Sequence, residues 1–218
     1  MPLPPSTPAE RDLSLALGRP APASLGARLA YWREAQLVRH SLHSAGEPGL
    51  VLDLPCGGGR FWPVLTEHAN RVILAGGHNA EGLGRAMGAF DPALAARITP
   101  LEASVDAITL GSNAVDCIFC MGLFHRVSDN EQRLGILREF HRVSRDTVII
   151  SLWVDGNYRA WRRRRMEQRR AGPARQHRFV VARAQIEHEF RQAGFEIVAH
   201  HDLIPGIAMW RTYVLRKG

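Results

Sequence analysis

The stretch "VLDLPCGGGRFWPVL", residues 51–65, places an aspartate and three consecutive glycines between two apolar segments. Asp53 closes the first apolar run, and Cys56, Gly57, Gly58 and Gly59 follow. An apolar strand that feeds a glycine turn and then a helix lets a ligand approach the backbone closely. Glycine has no Cβ and reaches φ/ψ values closed to other residues. A nucleoside site built on such a turn carries a carboxylate about twenty residues further on, where it accepts hydrogen bonds from the ribose. The second segment, "VILAGGHNAEGL" at 72–83, has Gly76, Gly77 and His78 there instead. The dinucleotide fingerprint G-x-G-x-x-G also fails, because Trp62 stands where the third glycine belongs. That argues against NAD and FAD.

The elements that must position this turn can be read from periodicity. "SLGARLAYWREAQLVRHSLHSAG" is expected to be a helix, with Ser24 as N-cap and Gly46 as stop. "GLVLDLP" is a first strand, apolar enough to be covered on both faces of a parallel sheet. A short helix "FWPVLTEH" follows, then a second strand "RVILAG" and a helix "NAEGLGRAMGAF" capped by Asn79. "ARITPLEA" is a weaker third strand and "AVDCIFCMGL" a strong fourth. Ser128 with Glu131 forms a capping box for a helix whose apolar stripe is Leu134, Leu137 and Phe140, flanked by Ile136 and Val143. "DTVIISLWV" is a fifth strand, "ARAQIEHEFRQAGF" a helix stopped by Gly194, and "EIVAHHDLI" and "MWRTYVLR" two closing strands. Alternating strands and helices predict an α/β fold with a mainly parallel sheet.

Bulk composition sets the frame. The chain has 218 residues, 45% of them apolar, which suits one domain over 24–218 with a basic insertion at 157–179. Residues 1–23 hold six of the thirteen prolines and read as a flexible arm. No run is long enough for a membrane span or a signal peptide core, so a cytoplasmic protein without a transmembrane segment is expected. The three cysteines do not form a disulfide scaffold. Cys117 and Cys120 lie three apart on a strand and point to opposite faces, so buried structural cysteines are expected and no metal site.

These motifs together resemble the class I S-adenosylmethionine-dependent methyltransferases. "VLDLPCGGGRF" is similar to that family's first motif, in the variant D-x-P-C-G-x-G-R. "AVDCIFCMGLFHRVSD" resembles its fourth strand and "QAGFEIV" its late helix-to-strand junction. The match runs from about residue 28 to 217 in order and spacing. It implies a Rossmann-like fold, a seven-stranded sheet with helices on both faces, and S-adenosyl-L-methionine as cofactor. By position, the resemblance assigns cofactor contacts to Asp53, Pro55, Cys56, Gly57, Gly59, Gly77, His78, Ser104, Val105, Met121 and Gly122. His125 would face the acceptor as a base or an orienting group, since histidine is the usual base at neutral pH. Tyr31 and Arg33 would close over the cofactor carboxylate.

The pattern departs from the family at both acidic positions, where Gly77 and Ser104 stand. A hydrogen bond to a charged group contributes about 1.5–3 kcal/mol, so each loss costs roughly tenfold to a hundredfold in affinity. Glu81 and Asp106 are the candidates to compensate. The alternative is a non-catalytic protein of this fold that binds an anionic or protein partner.

The net charge is +7, Lys217 is the only lysine, and nine arginines lie between Tyr158 and Phe179. A basic cluster of this density fits contact with an anion. Arg162 and Arg163 are assigned to an anionic or phosphorylated acceptor, small or lipid-like. The cluster at 159–178 also suits an acidic protein, an anionic membrane surface or nucleic acid.

Overall fold

A computed structural model describes residues 24–78, 80–168 and 178–218. The strands are β1 (Leu50–Asp53), β2 (Val72–Gly77), β3 (Ile98–Glu102), β4 (Val115–Cys120), β5 (Ser144–Trp153), β6 (Phe195–Asp202) and β7 (Trp210–Lys217). The helices are α1 (Leu25–Ser44), α2 (Trp62–Leu65), α3 (Ala80–Gly88), α4 (Pro92–Ala95), α5 (Asn130–Val143), α6 (Tyr158–Gln168) and α7 (Arg183–Gln192). All seven strands form one sheet in the order β3-β2-β1-β4-β5-β7-β6. The first five are parallel, and β7 runs antiparallel between β5 and β6.

The sheet is covered on both faces, as its apolar central strands require. Leu52, Ile118, Phe140 and Phe190 belong to the core on one side, where α5 and α7 pack. Val51, Trp62, Phe119 and Val38 belong to the core on the other, under α1 and α2. Cys117 and Cys120 fall into different cores, and all three cysteines are buried thiols. The alternation along β4 therefore separates them. Among the described residues, no cluster of three His, Cys, Asp or Glu side chains could hold a metal. No described helix is long and apolar enough to cross a membrane.

Ser24 caps α1, its Oγ accepting from the Ala27 N–H at 3.3 Å, and Gly46 terminates the segment at φ +79°. Gly194 ends α7 at φ +87°. At α5 the cap differs from expectation. Asp129, not Ser128, accepts from the Gln132 N–H at 2.8 Å. A carboxylate at a helix N-terminus meets the dipole as well as the open N–H, and the Ser128 carbonyl is drawn away to accept from Arg133 Nη1. The one-turn helix α4 was not anticipated, although Asp91 followed by Pro92 is a cap-and-N1 signal. The expected cap at Asn79, the arm at 1–23 and part of the basic insertion lie outside the described residues.

Candidate active site

Strand order reverses between β1 and β4, so a crevice opens beyond their C-terminal ends. The turn at 54–59 forms its first wall. The Leu54 N–H donates to the Phe119 carbonyl at 3.0 Å and the Cys56 N–H to the Gly76 carbonyl at 2.9 Å, which lays the turn across the ends of β4 and β2. Both glycines at the end of β2 are closely packed. A Cβ on Gly76 would sit 2.6 Å from Leu54 Cδ1, and one on Gly77 would sit 3.0 Å from Leu83 Cδ2. Gly57 and Gly59 have φ +55° and +72°. The N–H groups of Gly57 and Gly58 take no partner among the described residues and stand at the partly open rim.

Trp62 fills the space beneath the turn. It is fully buried, tilts on Phe90 at 5.2 Å between centroids, and lies where a Cβ on Gly59 would come within 2.4 Å of its ring. Its Nε1 donates to Asp53 Oδ2 at 3.0 Å. The third glycine is thus replaced by an indole that props up the turn and holds Asp53. Burial pushes the Asp53 carboxyl up to about 7, against the opposing Trp62 hydrogen bond. Pro55 and Cys56 are buried within the same wall.

The next positions lie at the ends of β2 and β3. His78 follows Gly77, and its Nδ1 is buried without a partner among the described residues. Ser104 is buried, and its Oγ donates to Asp106 Oδ1 at 2.5 Å, with Val105 buried beside it. Glu81 is solvent-exposed and paired only loosely, 3.7 Å from Arg85. On the other side of β1, Met121 is buried, and Gly122 at φ +81° donates its N–H to Ser151 Oγ at 2.8 Å.

His125 sits in a single turn of 3-10 helix, Phe124–Arg126, and is 2% exposed. Its ring stacks on Trp153 (4.9 Å, 8°) and tilts on Trp210 (5.6 Å). The Arg163 and Arg178 guanidinium groups lie over the Trp153 ring at 5.3 and 5.4 Å. His125 Nδ1 and Trp210 Nε1 are both buried without a partner among the described residues. Burial, then Arg126, Arg178 and Arg163, lowers His125 to about 3, so its ring is neutral at physiological pH. Behind it, the Arg133–Glu189 ion pair is buried, with contacts of 2.8 and 2.6 Å. Arg133 also donates to the Val127 and Ser128 carbonyls at 3.0 Å, fixing the segment that follows His125.

The structure brings His125 and Arg163, both singled out in the sequence, together with Arg178 of the arginine cluster and with Trp153 and Trp210, which the sequence analysis did not single out. The two tryptophans face each other in the antiparallel β5–β7 register, Trp153 opposite Trp210. A tryptophan at the end of each predicted strand was visible, but the pairing of those strands was not. Tyr31 reaches the turn, its OH donating to the Arg60 carbonyl at 3.4 Å under the Arg60 guanidinium. Arg33 goes elsewhere, donating to the Leu203 carbonyl at 2.9 Å. Arg162 is exposed on α6.

Comparison with known proteins agrees with this geometry. Residues 51–147, which run from β1 into β5, match a family model described as a methyltransferase domain. A comparison with curated protein sequences returns no match. Among solved structures, the chain is similar to magnesium protoporphyrin IX methyltransferase from Synechocystis PCC 6803 with bound SAH (TM-score 0.73, 14% identity, 95% of this chain and 94% of that one). It is similar to geranyl diphosphate methyltransferase in complex with GPP and sinefungin (0.66, 11%, 98% and 100%). It is also similar to the cyclase SpnF (0.63, 15%, 84% and 80%). Residues 51–147 thus resemble a methyltransferase domain, and the chain as a whole has the Rossmann-like fold of these solved structures.

Proposed function

We propose that the chain transfers a methyl group from S-adenosylmethionine to an anionic acceptor. The observation that carries the reading is the turn at Cys56–Gly59, placed at the strand-order reversal with two glycines at positive φ and two N–H groups facing the rim. Gly57 and Gly58 would hold the methionine end. His78, whose Nδ1 has no partner among the described residues, stands one residue beyond the missing ribose carboxylate and would hydrogen-bond a ribose hydroxyl. The Ser104–Asp106 pair would present an anionic acceptor to the adenine amine, in place of the second missing acid. When bound, the cofactor would supply a methyl group that passes in line to the acceptor nucleophile as the carbon–sulfur bond breaks and S-adenosylhomocysteine leaves.

The remaining work falls to the acceptor wall. His125 Nδ1 and Trp210 Nε1 would bind an oxygen of the acceptor, and Arg163 and Arg178 on Trp153 would balance its charge. A neutral imidazole with its basicity lowered this far is better suited to orienting the acceptor than to removing a proton at neutral pH. Near-attack geometry is then set by a ring clamped between neighbours.

The test uses methyl-labelled cofactor with acceptors bearing carboxylate, phosphate or no charge. Label entering the anionic classes supports the reading. Transfer only to neutral acceptors overturns the assignment of acceptor class. Cofactor binding without transfer to any class turns the account toward a non-catalytic protein of this fold.

A further inference from the structure

Three elements meet at one surface. The α6 N-terminus rests on the β6–β7 loop, with the Tyr158 and Arg159 N–H groups donating to the Gly206 and Ile207 carbonyls at 3.0 and 3.1 Å. Arg33 ties α1 to the same loop through the Leu203 carbonyl. Each element exposes apolar side chains there. In α1 these are Leu25, Leu29 and Trp32, spaced along one helical face and 83%, 62% and 50% exposed. The loop adds Ile204 and Ile207, and α6 adds Tyr158 and Trp161.

Charge on these elements is predominantly positive. Helices α1 and α6 together contain eight arginines and two acidic residues, Glu34 and Glu167. Glu34 is bonded to Arg60 and Glu167 to Arg163. The loop at 203–209 has no acid. Arg159, Arg162, Arg164 and Arg165 are exposed on α6, and Arg165 lies over the Trp161 ring at 5.4 Å.

We propose that this face docks on an anionic lipid bilayer. The leucines and tryptophan of α1 and the arginines of α6 together give this face the mixed apolar and cationic character of an interfacial surface. The apolar side chains enter the headgroup boundary, and the arginines meet the lipid phosphates. Tryptophan and tyrosine favour that boundary because one end of each ring system is apolar and the other polar. A nucleic acid backbone would engage the arginines and could stack on Trp161, but it offers nothing to Leu25, Leu29, Ile204 and Ile207. The proposal stands on exposure and charge and does not rest on methyl transfer.

The test is sedimentation of the full chain with vesicles of phosphatidylcholine alone or with about one third phosphatidylglycerol. Anionic vesicles should bind at least tenfold more tightly. Each arginine removed should cost about fivefold, so the triple variant Arg159→Gln, Arg164→Gln, Arg165→Gln should lose roughly a hundredfold with an unchanged thermal melt. Brominated acyl chains should quench Trp32 and Trp161, and Trp32→Phe and Trp161→Phe should each remove part of that quenching. The double variant Leu29→Ser, Trp32→Ser should bind more weakly at any salt concentration. Equal binding to neutral vesicles, binding without quenching, or tighter binding to an oligonucleotide or to polyglutamate would each overturn the proposal.

Discussion

The two walls of the crevice are built from different materials. The wall at the ends of β1 and β2 is mostly backbone: glycines at positive φ, amides facing a rim, and an indole packed beneath. The wall at the ends of β4, β5 and β7 is side chain: an imidazole, two indoles and two guanidinium groups in contact. A wall of backbone recognises a constant part of a ligand, and changes to it damage the fold. A wall of side chains can change its ligand while the fold survives. The buried ionisable groups differ in the same way, since burial leaves Asp53 protonated more readily and His125 less readily than in water.

The largest expected effects probe what supports each wall. Trp62→Ala should cost about 3–5 kcal/mol and leave Asp53 buried without its donor, as read from urea denaturation. Glu189→Ala should cost about 3–5 kcal/mol by leaving Arg133 buried and unpaired, and should loosen the segment after His125. If either variant keeps wild-type stability, the support assigned to that wall is wrong.

Next come the pH profiles, which should run in opposite directions. The folded pKa of Asp53 is raised from 3.8 to about 7, so its contribution is present below about pH 4 and is lost as pH rises through 7. Asp53→Asn keeps an acceptor for Trp62 and should be the more stable protein at pH 8, by up to roughly 4 kcal/mol, with no gain near pH 4. The folded pKa of His125 is lowered from 6.5 to about 3, so its contribution is present above 6.5 and is lost on acidification towards 3. His125→Gln should flatten that acid limb. Denaturant midpoints across pH would check both, and slopes of the same sign would break the contrast.

Smaller effects separate the ligands. His125→Ala should weaken acceptor use by about tenfold to a hundredfold while leaving S-adenosylhomocysteine affinity unchanged. Asp106→Asn should do the reverse, lowering cofactor affinity by about tenfold, with stability within about 0.5 kcal/mol because the side chain is exposed.

The same contrast explains what was legible in the sequence. The backbone wall was readable because positive φ and close approach restrict residue type, which makes Gly57, Gly59 and the strand before them a local signal. The departure at Gly77 was also readable. The packing around it was not, since Leu54 meets Gly76 and Leu83 meets Gly77 only when loop and helix fold back on β2. The acceptor wall depends on partners far apart in the chain. Trp153 meets Trp210 through the antiparallel insertion of β7, and Arg178 reaches Trp153 across a segment beyond any local pattern. Trp161 and Tyr158, which the arginine run brought to notice, lie on the outer surface instead.

The central claim is that the glycine turn and His78 hold the nucleoside without either usual carboxylate. Calorimetric titration of the wild-type chain and of His78→Ala with S-adenosylhomocysteine tests it most directly. The account predicts micromolar binding by the wild type and a loss of about tenfold in the variant. No heat from the wild type at millimolar ligand, or equal affinity in the two proteins, would contradict it.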